Sequence, residues 1–238
     1  MKHSIKRTAA LVLTAVASFL LIVSVLFTCL QLSINDRAWF EREYEKLGLA
    51  EKIGIPNSDS ADAIMRLIDY MEGRENSIQL TVHQNGVAKS MYNEREMEHM
   101  TDVRALYQAW RSVRTYGAIF ALALLFGAFF LGKKEFLFTL AHGFLRASAA
   151  FGILLIGIGL FAFIDFNAFW TAFHHLFFTN DLWLLDPATD RMILICPEQL
   201  FSDIVLRFAS RFLLCFALML LAAFWAKFKG KARYGHER

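Results

Sequence analysis

Residues 8–35 read TAALVLTAVASFLLIVSVLFTCLQLSIN, a run with no Asp, Glu, Lys or Arg. As a helix rising 1.5 Å per residue it is long enough to cross a hydrocarbon core of roughly 30 Å with some tilt. Working outward, residues 115–132, 147–164 and 212–226 are equally free of charge. Four such stretches in 238 residues predict four membrane spans. A mean hydropathy of +0.40, with 56% hydrophobic and 20% charged residues, excludes a single water-soluble domain and intrinsic disorder. A net charge of +3 on so much apolar surface also excludes a nucleic-acid binder. The predicted fold class is a mainly α membrane protein: four transmembrane helices, a small α+β extracytoplasmic insertion and an aromatic-rich interfacial segment.

Lys2, Lys6 and Arg7 precede the first span, Lys133 and Lys134 separate the second from the third, and Lys227, Lys229, Lys231 and Arg233 follow the fourth. Counting positive charge places these segments in the cytoplasm of a bacterial cell membrane, with both termini inside. The expected organisation is a cytoplasmic N-terminus (1–8), span 1 (9–32), an extracytoplasmic segment with helices and a hairpin (33–113) and span 2 (114–132). A cytoplasmic turn (133–138), span 3 (139–164), an outer interfacial segment (165–206), span 4 (207–226) and a cytoplasmic tail (227–238) complete it. Ala15-Val16-Ala17 matches a signal-cleavage pattern, but an apolar run of more than 20 residues reads as an uncleaved signal anchor. Span 4 is the shortest and is expected to start near Phe208, with Arg211 snorkelling or paired within the bundle.

The chemistry is expected in the two outer segments. Residues 60–74 predict a helix opening at Ser60, with Ile64, Leu67, Ile68 and Met71 on one face. Ile78–Val82 and Val87–Tyr92 alternate around Gln84-Asn85-Gly86 and predict a β-hairpin, with His83 a surface strand residue. Asn93 and Glu96 form a capping-box pattern ahead of an amphipathic helix. On that helix Arg95, His99 and Asp102 stand at i−4, i and i+3, so Asp102 is placed to meet the His99 imidazole, fix its tautomer and raise its pKa. A straight helix would carry His99 far above the lipid, so a bend is expected between Arg111 and Tyr116.

The segment from Phe163 to Phe201 carries Asp165, His174, His175, Asn180, Asp181, Asp186, Asp190 and Glu198 among Phe and Trp residues. Such a segment belongs at the membrane interface, where its ionisable groups are functional candidates. Adjacent histidines share no face, and no metal-binding spacing accompanies them, so no metal site and no cofactor are expected. Nucleophile-elbow and paired Ser/His signatures are absent, and nothing in the charge pattern activates Cys196. Cys29 and Cys215 fall in spans, so no disulfide framework is expected. His3, His142 and His236 belong to the cytoplasmic side.

The run FHHLFFTNDLWLLDP (173–187), the following Pro197-Glu198 and the earlier EMEHMTDV (96–103) resemble the four-span bacterial membrane family that includes the lipoprotein intramolecular transacylase. The resemblance covers nearly the whole chain, with its specificity in those outer blocks. It implies transfer of one fatty acyl chain from the glycerol of a lipoprotein's S-diacylglyceryl cysteine to the α-amino group of the same cysteine, giving the lyso-form lipoprotein. Its candidate catalytic histidines match His99 and His174, while Asp102, Asn180, Asp181 and Trp183 also fall at motif positions and Arg95 joins them as a substrate-binding candidate. The implied partners are diacylated lipoproteins and the lipid bilayer.

An O-to-N shift within one substrate needs no protein nucleophile, in keeping with the missing signatures. It needs a base, an acid and donors for the oxyanion. His99 as base oriented by Asp102, with His174 as acid or oxyanion donor, is one assignment; the reverse stays open. The competing readings are a non-enzymatic membrane sensor or partner-binding module and, with less in the sequence to favour it, a transporter.

Overall fold

The computed structural model describes residues 2–234; His236 lies outside the described residues, as does the side chain of His3. The chain divides into two units.

The first unit comprises Met1–Cys29, Arg111–Ile164 and Ala209–Arg238. It holds most of α1 (Lys2–Ile34), the apolar part of α5 (Glu94–Leu131), α6 (Phe136–Ile164) and most of α9 (Glu198–Tyr234). These four helices are long and apolar enough to cross a membrane. A one-turn 3₁₀ segment, Lys133–Glu135, links α5 to α6. The helices meet through small and aromatic residues. Thr14 donates to the Thr139 carbonyl at 3.2 Å, and Gly143 sits so close to α1 that a Cβ there would lie 2.8 Å from the Ala15 nitrogen. Phe151, Phe212 and Phe216 pack beside Ile22 and Phe144. Large apolar side chains such as Ile153, Phe163, Leu214 and Phe228 face outward, as a lipid-exposed surface requires.

The second unit comprises Leu30–Trp110 and Asp165–Phe208 and has an ordinary buried core built on Phe40, Tyr44, Ile55, Leu67, Val82, Met91, Ile195 and Leu200. α2 (Arg37–Leu47) is capped by Asp36, whose carboxylate accepts from the Trp39 amide at 3.1 Å. Arg207 locks this corner by bonding the Ser33 carbonyl and the Asp36 carboxylate while its guanidinium lies over the Trp39 ring. After the single turn α3 (Leu49–Ile53), α4 (Asn57–Glu72) packs along α2. β1 (Thr81–Gln84) and β2 (Val87–Ser90) form the antiparallel hairpin. Its turn uses Asn85 and Gly86 at φ 52° and 78°, the two positive values that a tight hairpin turn demands. α7 (Phe166–Phe177) and the short α8 (Met192–Ile195) complete the unit.

The mainly α membrane architecture matches expectation, with four differences. α4 opens at Asn57 behind Pro56, not at Ser60, because proline pre-sets the entry of the chain and Ser60 is buried one turn inside. α2 and α3 were not anticipated. α5 runs without interruption through residues 111–116, so the expected break is absent. α9 begins ten residues before the expected start of span 4, its first turns belonging to the second unit, where Leu200, Phe201 and Ile204 join the core.

Candidate active site

The first turn of α5 is set by a reciprocal capping box. The Asn93 side chain accepts from the Glu96 amide at 3.0 Å, and the Glu96 carboxylate accepts from the Asn93 amide at 2.7 Å. The other Glu96 oxygen accepts from the Met192 amide at 2.5 Å, and Asn93 donates to Asp190 at 2.7 Å. Two buried carboxylates therefore pin the start of α5 to residues 186–192. Glu96 titrates above the usual carboxylate range because it is buried; its backbone donors offset only part of that cost. One turn further on stands His99, buried in the part of α5 that precedes the uncharged, membrane-crossing stretch from Thr115.

Asp165 caps α7 by accepting from the Ala168 amide at 2.8 Å. The opposite end of α7 carries His174, also buried, and its Nδ1 lies 2.7 Å from the Trp170 carbonyl oxygen. A carbonyl only accepts, so Nδ1 carries the proton and the lone pair of the neutral ring sits on Nε2. Trp170 and Phe173 stack at 5.5 Å along this helix, and Trp110 of α5 packs edge-on against Phe173 and Phe177.

These two helices bring His99 and His174, 75 positions apart in the chain, to a ring separation of 6.2 Å. Phe178 packs against both, at 5.4 Å from His99 and 5.6 Å from His174. Trp183 stacks on His174 at 4.7 Å with an interplanar angle of 27°. Burial and the neighbouring imidazole push the His99 pKa down to about 4. Burial also lowers that of His174, only partly offset by its bond to Trp170. Both rings are therefore neutral near pH 7.

The remaining candidates hold the 178–185 turn in place. Asn180 donates to Asp102 at 2.8 Å and accepts from the Leu182 amide at 3.1 Å. Arg95 donates to the carbonyl oxygens of Asp181 and Leu184. Asp181 contributes that carbonyl, while the residue itself stays exposed. The expectation that Asp102 hydrogen-bonds His99 is corrected: its carboxylate is engaged by Asn180, and His99 Nδ1 is buried without a partner. The expected rise in the His99 pKa is corrected as well, because desolvation outweighs the Coulombic pull of Asp102. Asp102 and Arg95 thus clasp a turn that carries Trp183 onto His174.

His175 is exposed and meets Trp183 edge-on at 5.0 Å. His83 is a surface residue bonded to Asp59 at 3.1 Å. Cys196 is buried, and its thiol is pushed up to about 12 by burial and by Glu96. Sequence reasoning did not single out Trp170 and Phe178 as parts of the site. The i−4 spacing of Trp170 from His174 was the available signal.

Residues 15–201 match the family described as lipoprotein intramolecular transacylase Lit. The chain belongs to this family. It is a membrane-integral transacylase. Solved structures of the membrane integral lipoprotein intramolecular transacylase Lit from Bacillus cereus share the fold. One is 18% identical with a TM-score of 0.63, covering 94% of this chain and 93% of that one. Two others, each with one histidine replaced by arginine or by alanine, are 18% identical with a TM-score of 0.61. They cover 99% of this chain and 94% or 96% of theirs. No curated protein matches significantly.

Proposed function

We propose that His174 and His99 together carry the intramolecular transfer, on a diacylated lipoprotein held at the outer face of the membrane. The observation that carries this reading is the approach of the two buried imidazoles to 6.2 Å. The α-amino group of the lipoprotein's first cysteine attacks the ester carbonyl of its own glycerol-linked acyl chain. His174 Nε2 removes the amine proton as the new C–N bond forms, then returns it to the glycerol oxygen as the C–O bond breaks. One imidazole serves both steps because the Trp170 carbonyl holds its other nitrogen as the donor throughout. His99 acts as a neutral imidazole, its unpartnered Nδ1 available to the polar head of the substrate. This inverts the assignment in which His99 is the base, since it has no partner to fix its tautomer.

Proximity supplies much of the acceleration, because amine and ester belong to one molecule. Asn180, Arg95 and the Asp181 carbonyl keep the turn over the site, and exposed Leu176, Phe177 and Leu184 face the acyl chains and the lipid. By positive-inside counting, both termini lie in the cytoplasm and the histidines face outward. The test is His174→Asn and His99→Asn in membranes supplied with an S-diacylglyceryl-cysteine lipopeptide, read by mass spectrometry of the N-acyl product. Both variants are expected to insert and to lose product. Wild-type product from either would overturn the two-histidine site.

A further inference from the structure

The transition state of this transfer carries negative charge on the former carbonyl oxygen, and some donor must meet it. The donors of the site can be taken one by one. The His174 Nδ1 proton is engaged by Trp170, the Asn180 amide by Asp102, and Arg95 by two backbone carbonyls. Two nitrogens, His99 Nδ1 and the Trp183 indole nitrogen, are buried with no hydrogen-bond partner, but the imidazole nitrogen donates or accepts according to its tautomer. An indole N–H can only donate, and a buried donor left unpaired is destabilising until something accepts from it. The near-parallel stack on His174 keeps that N–H from pointing into the imidazole face. His175, perpendicular at 5.0 Å, offers at best a π face, a second-order partner. The turn that holds this unpaired donor is clasped at both ends by side chains of α5, so the indole is fixed rather than free to seek water.

We propose that the Trp183 indole N–H is the oxyanion donor of the transacylation, a role that rests on His174 being the base. As the cysteine nitrogen bonds to the acyl carbon and loses its proton to His174, the carbonyl π pair moves onto oxygen and Trp183 donates to it. When the pair returns, the glycerol C–O bond breaks, its oxygen takes the proton from His174, and Trp183 releases an amide carbonyl. A donor unpaired in the resting enzyme and paired in the transition state favours the transition state over the ground state.

The test replaces Trp183 with 3-benzothienylalanine by codon suppression, which keeps the ring stack and exchanges N–H for sulfur. Trp183→Phe is a second variant lacking the donor, and His174→Asn runs in parallel. With the S-diacylglyceryl-cysteine lipopeptide, kcat is expected to fall about 100-fold in both Trp183 variants, as when one oxyanion donor is removed, with KM little changed. Wild-type kcat in the benzothienyl variant, or in Trp183→Phe should the former not accumulate, overturns the donor role. His174→Asn reports separately: if it retains activity, the reading of the base fails, whereas its loss beside an active Trp183 variant defeats the donor alone.

Discussion

The two helix ends that carry the histidines are built in opposite ways. At the end of α7, His174 is fixed on three sides: by the Trp170 carbonyl, by the stacked Trp183 and by Phe178. At the start of α5 the backbone is fixed instead. Glu96, Asn93 and Asp190 pin the first turn, while the His99 ring they position has an unpartnered nitrogen. An imidazole with a committed nitrogen has a defined tautomer and can act as a base in a fixed direction. One without a partner can take up whichever hydrogen bond the substrate offers. Two histidines at 6.2 Å are therefore two different instruments.

The largest effect expected from this contrast is in the histidine substitutions. His174→Asn removes the base and should lower kcat by about 10²–10⁴-fold, the span of general acid–base catalysis. His99→Asn keeps a hydrogen-bonding side chain and should cost less, with a larger share appearing in KM. The double variant should be little worse than His174→Asn, as for groups acting as a unit. Equal losses with identical KM would erase the distinction.

The pH dependence sharpens it. Activity needs neutral His174, so kcat/KM should rise with pH through an ionisation below the ordinary imidazole value of 6.5 and be level by pH 7. Stability follows His99. Its pKa is about 4 in the folded protein against an ordinary 6.5, so between those values the unfolded chain binds the extra proton. Stability is full above 6.5 and falls with decreasing pH down to about 4, at up to about 1.4 kcal/mol per pH unit. Thermal unfolding in detergent from pH 7 to pH 4 should show the fall in the wild type and a shallower one in His99→Asn. A parallel pair of curves would place His99 in water.

Smaller effects belong to the clasp on the 178–185 turn. Arg95→Ala frees two carbonyls but is exposed, so about a tenfold loss, mostly in KM, is expected. Asp102→Asn leaves an oxygen able to accept from Asn180 and removes only the charge, so a loss of about threefold is expected. An Asp102→Asn loss matching that of His99→Asn would restore a direct carboxylate–imidazole couple. His175→Asn, altering an exposed ring, should stay near wild type.

The sequence patterns that proved legible are those whose cause is local. Asn85-Gly86 dictates the hairpin because its turn needs positive φ, and Asn93 with Glu96 caps α5 because their spacing matches the free amides of a first turn. Charge-free runs mark the spans for the same reason. α2 escaped notice because its core-facing Trp39, Phe40, Tyr44 and Leu47 are interleaved with Glu41, Arg42, Glu43, Glu45 and Lys46, although Asp36 and Gly48 bracket it as caps. The Asp102 assignment failed differently. Spacing offered His99 as its partner, but Asn180, 78 residues on, took the carboxylate. Helix geometry states which groups can meet, and tertiary contacts choose among them.

The smallest effect tests whether a third group shares the chemistry of the two histidines. Cys196 is the one cysteine outside the spans, and an acyl-enzyme route would need its thiolate. It sits in the core beside Tyr44 and Tyr92, and its pKa of about 12 leaves roughly one thiolate in 10⁵ at pH 7. Its nearest ionisable influence, Glu96, opposes ionisation further. Cys196→Ser should therefore leave the rate of N-acyl product formation within about twofold, while burying a hydroxyl in that core lowers stability by about 1 kcal/mol. Cys196→Ala should be similarly active, and iodoacetamide should not inhibit the folded wild type. Loss of product in both variants at unchanged thermal stability, with an acyl adduct on Cys196 in the wild type, would replace direct attack by the amine with a thioester intermediate and leave His174 serving the thiol.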